Sequence, residues 1–336
     1  MLLKRKNRRE FLESACSGTA ALAVWPGLSA TLATSPPSAT GYLYDDRYLL
    51  HVLAADHVES PQRLRKIAER MSDSGLIQEV TRLSPSLDAS PHIGNFHTAD
   101  HFEAVRKIPT TGEVAELAVS GSLTAVKAVA EGQVRNAFCA IRPPGHHAHN
   151  NLGEEGFCFY GNVAIAARYA QQEFDFKKIL IVDWDYHHGN GTESAFWKDP
   201  SVLFFSTHNW HAYPGTGDPS REGTGPGAGY NINVHLDCGA TDDQIIRAFE
   251  EKLLSAADRF QPDFILISAG FDSRKDDVLG CFSITDAGFK RLTRMVMDLA
   301  DSTCGGKIVS LLEGGYNVDG LAMAVEAHVS ELLSRS

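Results

Sequence analysis

Short apolar runs with no polar alternation punctuate this chain, and they constrain its fold more than any other feature. Ile179-Leu180-Ile181-Val182 and Phe264-Ile265-Leu266-Ile267 are the clearest. A strand with one wetted face alternates apolar and polar residues. A strand without alternation is buried on both faces, as in a parallel sheet covered by helices. Further strands are predicted at 137–141, 202–206, 230–234 and 308–311, with weaker ones at 42–44 and 78–83. Helical patterns fall between them, at 61–74, 99–107, 123–131, 162–173, 242–260, 286–302 and 321–333. No linker or repeat interrupts this alternation. Residues 41–336 are therefore expected to form one α/β domain with helices on both faces of a central sheet.

Four of the runs end directly in polar clusters. Residues 137–141 lead into Arg142-Pro143-Pro144-Gly145-His146-His147, and 179–182 into Asp183-Trp184-Asp185-Tyr186-His187-His188-Gly189-Asn190-Gly191. Residues 264–268 lead into Ala269-Gly270-Phe271-Asp272, and 308–311 into Leu312-Glu313-Gly314-Gly315-Tyr316-Asn317. Open parallel sheets build their sites beyond the carboxyl ends of the strands, so these loops are expected to converge. Asp185 and His187 are two residues apart and point the same way if the segment is extended. With Asp272 they offer a metal two carboxylates and an imidazole. Three protein ligands with an open fourth position describe a catalytic zinc site. A metal there would acidify water and polarise a carbonyl. His146 and His147 could transfer the protons of amide hydrolysis, and Tyr316 could hydrogen-bond the developing oxyanion. A His pair in a loop is by itself more often solvated, and Gly-Gly-Tyr is a common turn. Several ionisable groups at the end of a buried strand are costly, however, unless paired or metal-bound.

The charge balance narrows the partners. Lys and Arg number 31 against 42 Asp and Glu, a net charge of −11, which disfavours nucleic acid as a ligand. The basic cluster is at the N-terminus: Lys4, Arg5, Lys6, Arg8 and Arg9. Residues 1–40 read as a twin-arginine-like export signal and leader. The basic stretch precedes an apolar one, and Thr31-Leu32-Ala33 offers a cleavage site. An exported, periplasmic protein is expected; the alternative is a frayed basic terminus on a cytoplasmic one. The apolar stretch is short and broken by Gly18, Pro26 and Gly27, so no stable membrane span is expected. The six cysteines are scattered with no Cys-x-x-Cys pair, and most are read as small buried residues.

Several motifs together carry a resemblance. They are Arg-Pro-Pro-Gly-His-His-Ala at 142–148, Gly-Phe-Cys-Phe-Tyr-Gly-Asn at 156–162, Asp-Trp-Asp-Tyr-His-His-Gly-Asn-Gly at 183–191, Pro-Gly-Thr-Gly at 214–217, Ala-Gly-Phe-Asp at 269–272 and Glu-Gly-Gly-Tyr-Asn at 313–317. His57-Val58-Glu59-Ser60-Pro61 with Arg63-Leu64 adds an early segment. From residue 41 onward the chain resembles the zinc-dependent histone deacetylase and acetylpolyamine amidohydrolase family, in its class II-like branch. The resemblance implies the arginase/deacetylase fold, with a central, mostly parallel eight-stranded sheet. It implies Asp185, His187 and Asp272 as ligands of one catalytic zinc, and His147 as general base and acid. His146 becomes its electrostatic partner, paired to Asp183, and Tyr316 the carbonyl-polarising hydroxyl. Gly156, Phe157 and Tyr213 would line a narrow acyl-lysine tunnel, with Phe157 and Tyr213 sandwiching the aliphatic stem. A potassium ion is implied at Asp183, Asp185, His187, Ser206 and Thr207, and a second nearer Phe196.

Two positions refine the expectation. Asn190, where another branch has Asp, stabilises imidazolium less than a carboxylate would, so a lowered pKa is expected for His147. Leu279 puts an aliphatic group at the rim, where polyamine-selective relatives can carry an acid. The expected activity is therefore hydrolysis of acylated lysine or a small acylated amine, with acetylpolyamine hydrolysis as the alternative. A binding protein without turnover would not need both His and the Tyr, and the motifs serve one zinc rather than two bridged metals. The oligomeric state is left open; residues 100–120 are a candidate dimer contact, and 109–116 a candidate loop for partner or substrate selectivity.

Overall fold

The computed structural model describes residues 39–335 apart from Leu152. In chain order the strands are β1 (Thr40–Leu43), β2 (Thr81–Leu83), β3 (Asn136–Cys139), β4 (Ile179–Asp183), β5 (Val202–His208), β6 (Asn231–His235), β7 (Phe264–Ala269) and β8 (Ile308–Leu312). The helices are α1 (Gln62–Asp73), α2 (Leu76–Glu79), α3 (Ser90–Ile93), α4 (Ala99–Arg106), α5 (Thr111–Ala130), α6 (Asn162–Phe174), α7 (Asn190–Phe196), α8 (Asp242–Ala248), α9 (Leu254–Phe260), α10 (Asp286–Thr303) and α11 (Val318–Leu333). A π-helical turn, Phe249–Leu253, joins α8 to α9 where the sequence pattern predicts one continuous helix.

The strands form one eight-stranded sheet in the order β2-β1-β3-β8-β7-β4-β5-β6. Every pairing is parallel, rather than mostly so. β3, β4, β5, β7 and β8 are buried at every residue. Successive side chains face opposite sides, so both faces of the sheet are covered, as the unalternating sequence requires. Helix α5 packs on β1, β3 and β8, and α6 on β4 and β7.

The order has a direct consequence for the site. β3, β8, β7 and β4 are consecutive neighbours at the centre of the sheet. They are the four strands whose carboxyl ends carry the polar clusters. Register completes the convergence: Asp183 at the end of β4 lies opposite Ser206 of β5 and Ser268 of β7.

Three local expectations are corrected. Residues 109–116 are not a rim loop: α5 starts at Thr111 and buries Thr111, Gly112, Val114 and Ala115. The residues are small and apolar enough to continue the helical face below them. Residues 78–83 are not a single strand but the end of α2 followed by the short β2. Among the cysteines, Cys139, Cys158 and Cys304 are buried thiols, whereas Cys238 and Cys281 form a disulfide across 43 residues. Sequence spacing alone cannot reveal such a pair. Cys16 lies outside the described residues.

Candidate metal centre and active site

Asp185, His187 and Asp272 come together on the loops after β4 and β7, with their ligand atoms all within 4.8 Å of one another. Asp185 and Asp272 are fully buried, and His187 is nearly so. Each carboxylate is held by backbone amides. Asp185 accepts from His187 N (2.9 Å) and Gly314 N (2.8 Å), and Asp272 accepts from Tyr186 N (2.8 Å). His187 Nδ1 lies 3.2 Å from Asp185 Oδ1 and 3.0 Å from Asp272 Oδ2. Two glycines keep the space open: a Cβ on Gly270 would overlap Asp185 Oδ2, and one on Gly314 would overlap Asp272 Oδ2. This explains why glycine occupies both positions. Burial pushes the Asp272 carboxyl up to about 7, and the Asp185 charge pushes the same way. Burial opposes charge on His187, but Asp272 and Asp185 outweigh it and hold the imidazole up to about 10. Crowded buried charges of this kind call for a compensating ion. Two carboxylates and one imidazole, shielded from water, are a donor set that fits zinc with a coordination position left open.

The His pair sits beside this cluster, with the two rings 4.1 Å apart. His146 Nδ1 is 3.1 Å from Asp183 Oδ2, and His147 Nδ1 is 2.8 Å from Asn190 Oδ1. The surroundings push the two imidazoles apart. Burial works against charge on His146, but Asp185, Asp183 and Glu313 raise it well above the usual His value. His147 is pushed well below that value by burial first, then by His146 and His187. The hydrogen bond to Asn190 works against this lowering, which comes from burial and the neighbouring imidazoles rather than from the neutral partner. Neighbouring groups driven in opposite directions mark acid–base assignments in active sites.

A cavity of about 470 Å³ leads to the cluster, lined by His147, Gly156, Phe157, Tyr186, His187, Ala212, Tyr213, Leu279 and Tyr316. Every residue expected along the tunnel is there. Tyr186 and Ala212 were not anticipated. Glu155-Gly156-Phe157-Cys158 closes a tight turn, with Glu155 and Cys158 exchanging backbone hydrogen bonds (3.0 and 2.9 Å). Both central residues have positive φ, 55° at Gly156 and 67° at Phe157. That backbone is favourable for glycine and strained for phenylalanine. The Phe157 ring is edge-on to Tyr316, at 6.1 Å. Tyr213 is edge-on to His147, at 5.1 Å. Leu279 is 41% exposed at the rim.

Behind the site lies a buried ionic cluster whose individual roles sequence reasoning missed. Arg142 grips Glu59 with two hydrogen bonds, Nε to Oε1 at 2.5 Å and Nη2 to Oε2 at 2.6 Å. Arg63 joins them through Glu59 Oε1 (3.1 Å), donates to Gly315 O (2.7 Å) and to Glu313 O, and stacks over Tyr316. Glu313 accepts from Gly145 N (2.7 Å) and His146 N (3.1 Å), fixing the His-pair loop. The one signal for these roles was the early His-Val-Glu-Ser-Pro segment. Of the other expected residues, Ser206 bonds His208 Nδ1 at 2.8 Å, and the Thr207 hydroxyl is buried without a hydrogen-bond partner. Phe196 is buried at the end of α7.

A family model described as "Histone deacetylase domain" matches residues 57–332, which span every element of this site. The chain belongs to the histone deacetylase family. Histone deacetylase 5 of Arabidopsis thaliana is 39% identical over 327 residues, covering 87% of this chain and 49% of that protein. A probable deacetylase of Archaeoglobus fulgidus is 33% identical over 297 residues, covering 84% and 82%. The crystal structure of the HDA15 HD domain superposes with a TM-score of 0.83 at 37% identity, covering 89% of each chain. The chain spans about half the length of the plant histone deacetylases it matches.

These relatives overturn the expected periplasmic location. Those of Arabidopsis thaliana, Schizosaccharomyces pombe and Candida albicans are named histone deacetylases, after a substrate inside the cell. The leader on which the export expectation rested, up to residue 38, lies outside the described residues. Among the described residues, no helix is long and apolar enough to cross a membrane.

Proposed function

We propose that this chain is a zinc-dependent amidohydrolase that removes the acyl group from a lysine-type amide. One observation carries the reading: three ligand groups converge, and one of them, His187, lines a cavity walled by His147 and Tyr316. Asp185, His187 and Asp272 would hold the ion, which when bound supplies an acidified water and a polarised amide carbonyl. The rest falls to the chain's own side chains. His147 Nε2 takes a proton from the attacking water and returns it to the leaving amine, while Nδ1–H stays on Asn190. His146, raised well above the usual His value by Asp185 and Asp183, adds positive potential beside the developing negative charge. The Tyr316 hydroxyl donates to the oxyanion; its phenol is pushed well above the usual tyrosine value by burial and the Asp272 charge, so the proton stays in place to be donated. Phe157, Gly156 and Tyr213 shape a channel for an apolar stem.

The rim favours acyl-lysine over acylpolyamine. Leu279 offers a distant ammonium no charge, and the Asp277 carboxylate is committed to four backbone amides. A potassium ion is proposed beneath the metal loop, at Asp183, Asp185, His187, Ser206 and Thr207. The register places Ser206 beside Asp183, which supports this reading.

The test is turnover by zinc-loaded protein of an acetyl-lysine peptide, a trifluoroacetyl-lysine peptide and acetylputrescine. Hydrolysis of the lysine substrates, abolished by a chelator, supports the reading. Preference for acetylputrescine would move the protein to polyamines, and no turnover of any would overturn the proposal.

A further inference from the structure

Asn190 is more than a neutral partner for His147, because the far side of its amide is also engaged. Nδ2 lies 2.8 Å from Glu155 Oε1 and 2.9 Å from His149 Nε2, and Oδ1 lies 2.8 Å from His147 Nδ1. An ionised carboxylate only accepts hydrogen bonds, so the amide nitrogen must face Glu155. Oδ1 must then face His147 and needs a proton there: Nδ1 carries hydrogen and Nε2 carries the free lone pair. The flipped amide would place Oδ1 against the Glu155 carboxylate and NH₂ against His147 Nδ1. His147 would then hold its proton on Nε2 and could not act as a base from that atom. An imidazole held in the wrong tautomer disables a hydrolase even when its geometry is intact.

We propose that Glu155 is a positioning residue for amide hydrolysis: it orients the Asn190 amide, and through it holds His147 in the tautomer whose Nε2 can accept a proton. This rests on the proposed role of His147 as general base. His149 supports the same arrangement by accepting the second Nδ2 hydrogen at Nε2. The contacts are built rather than incidental. Asn190 is 7% exposed, and Glu155 is anchored by the tight turn whose next two residues, Gly156 and Phe157, line the channel. Gly156 packs on the His147 ring, where a Cβ would overlap Cδ2. One four-residue turn therefore sets both the channel wall and the tautomer of the base. His149 and Asn190 also line a second cavity, of about 820 Å³. Its charged groups are largely mutually paired, Arg168 with Asp199 and Arg221 with Glu193, which leaves Glu155 as the carboxylate that meets the Asn190 amide.

The deciding experiment is a kinetic cycle on the zinc-loaded full chain with an acetyl-lysine peptide. Glu155→Gln keeps the shape but loses the charge that orients the amide, and it is expected to lower kcat by about tenfold with KM nearly unchanged. Asn190→Asp presents two equivalent acceptors, so there is no amide left to orient, and the Glu155 charge becomes purely repulsive. In that background Glu155→Gln is expected to raise kcat several-fold. Loss in both backgrounds would mean that Glu155 serves only the turn, and would overturn the proposal. Glu154→Ala is the control for the turn, because Glu154 Oε1 accepts from Phe157 N (3.0 Å) and does not touch Asn190. A second readout needs no turnover. Imidazole ¹⁵N spectra, with His147 assigned by His147→Ala, should show the Nδ1–H tautomer in the parent and a mixture in Glu155→Ala. An unmixed Nδ1–H tautomer in Glu155→Ala would overturn the proposal. An inactive parent with the expected tautomers would overturn the hydrolase reading and leave the amide orientation standing.

Discussion

The Asp277 carboxylate holds the backbone of Tyr316: Oδ2 accepts from Tyr316 N at 2.7 Å and from Asn317 N at 3.0 Å. Oδ1 accepts from Leu279 N at 2.9 Å and Gly280 N at 3.2 Å. A single side chain thus ties the tyrosine loop to the rim of the channel. Asp277→Asn replaces one acceptor oxygen by a donor that must face backbone N–H groups, so one of the two loops is released. Because small misplacement of a catalytic group is expensive, kcat on an acetyl-lysine peptide is expected to fall by about 10- to 100-fold. Zinc content should stay at the parent level, since no ligand contacts Asp277 through a hydrogen bond that the change removes. Unchanged kcat would show that Tyr316 holds its place without this clamp.

The glycines at the metal cluster make a separate prediction. A Cβ at Gly270 would overlap the Asp185 carboxylate. Asp185 cannot turn away without giving up the amides of His187 and Gly314. Gly270→Ala is therefore expected to lower zinc stoichiometry, measured by elemental analysis after dialysis, and to reduce activity in proportion. The same loss should appear in thermal stability. Metal bound only by the folded chain raises the melting temperature, and that increment should shrink in Gly270→Ala.

Acid sensitivity should come from histidines buried away from the metal. His328 is fully enclosed between Thr293 Oγ1 (2.7 Å) and Ser310 Oγ (2.9 Å), and burial pushes it down to about 3 from 6.5. The unfolded chain takes up a proton there that the folded chain refuses. The stabilising contribution is therefore complete above pH 6.5 and is lost as the pH falls toward 3, at up to ~1.4 kcal/mol per pH unit. Burial lowers His97 to about 3 and His208 to about 4, and both add to the slope. Urea unfolding of chelated protein between pH 7 and 5 should show stability falling with acid. His328→Gln should flatten that fall by one proton's worth; an unchanged slope would mean that the site opens to water before the chain unfolds.

Much of this architecture is legible in the sequence because the strands that matter are the most buried. Ile179–Asp183 and Phe264–Ala269 carry unbroken apolar runs, so their position, parallel pairing and polar carboxyl ends follow from composition. Asp185, His187 and Asp272 stand within a few residues of those ends, and the sheet order brings them together with His147, which follows β3, and Tyr316, which follows β8. What lay beyond reach depends on contacts distant in the chain. Glu59 meets Arg142 across 83 residues, Arg63 reaches Gly315 across 252, and Cys238 finds Cys281 across 43. Nothing local to these residues marks their partners. The helix at Thr111–Ala130 was missed in its first half for another reason: Gly112, Gly121 and several β-branched residues lower its local propensity, and burial against the sheet overrides it.

Tyr316 separates binding from chemistry most cleanly. It lines the cavity with His147 and His187, and its ring meets Arg63 at 5.1 Å and Phe157 at 6.1 Å. Tyr316→Phe leaves both ring contacts and all three metal-ligand groups in place and removes only the donor. Loss of one oxyanion donor is worth about 10²- to 10³-fold in kcat. That fall is expected here on an acetyl-lysine peptide, with KM changed little and zinc content unaffected. A matching rise in KM would mean that the hydroxyl serves ground-state binding instead. Full activity in Tyr316→Phe would remove Tyr316 from the reaction altogether and leave oxyanion stabilisation to the metal and His146.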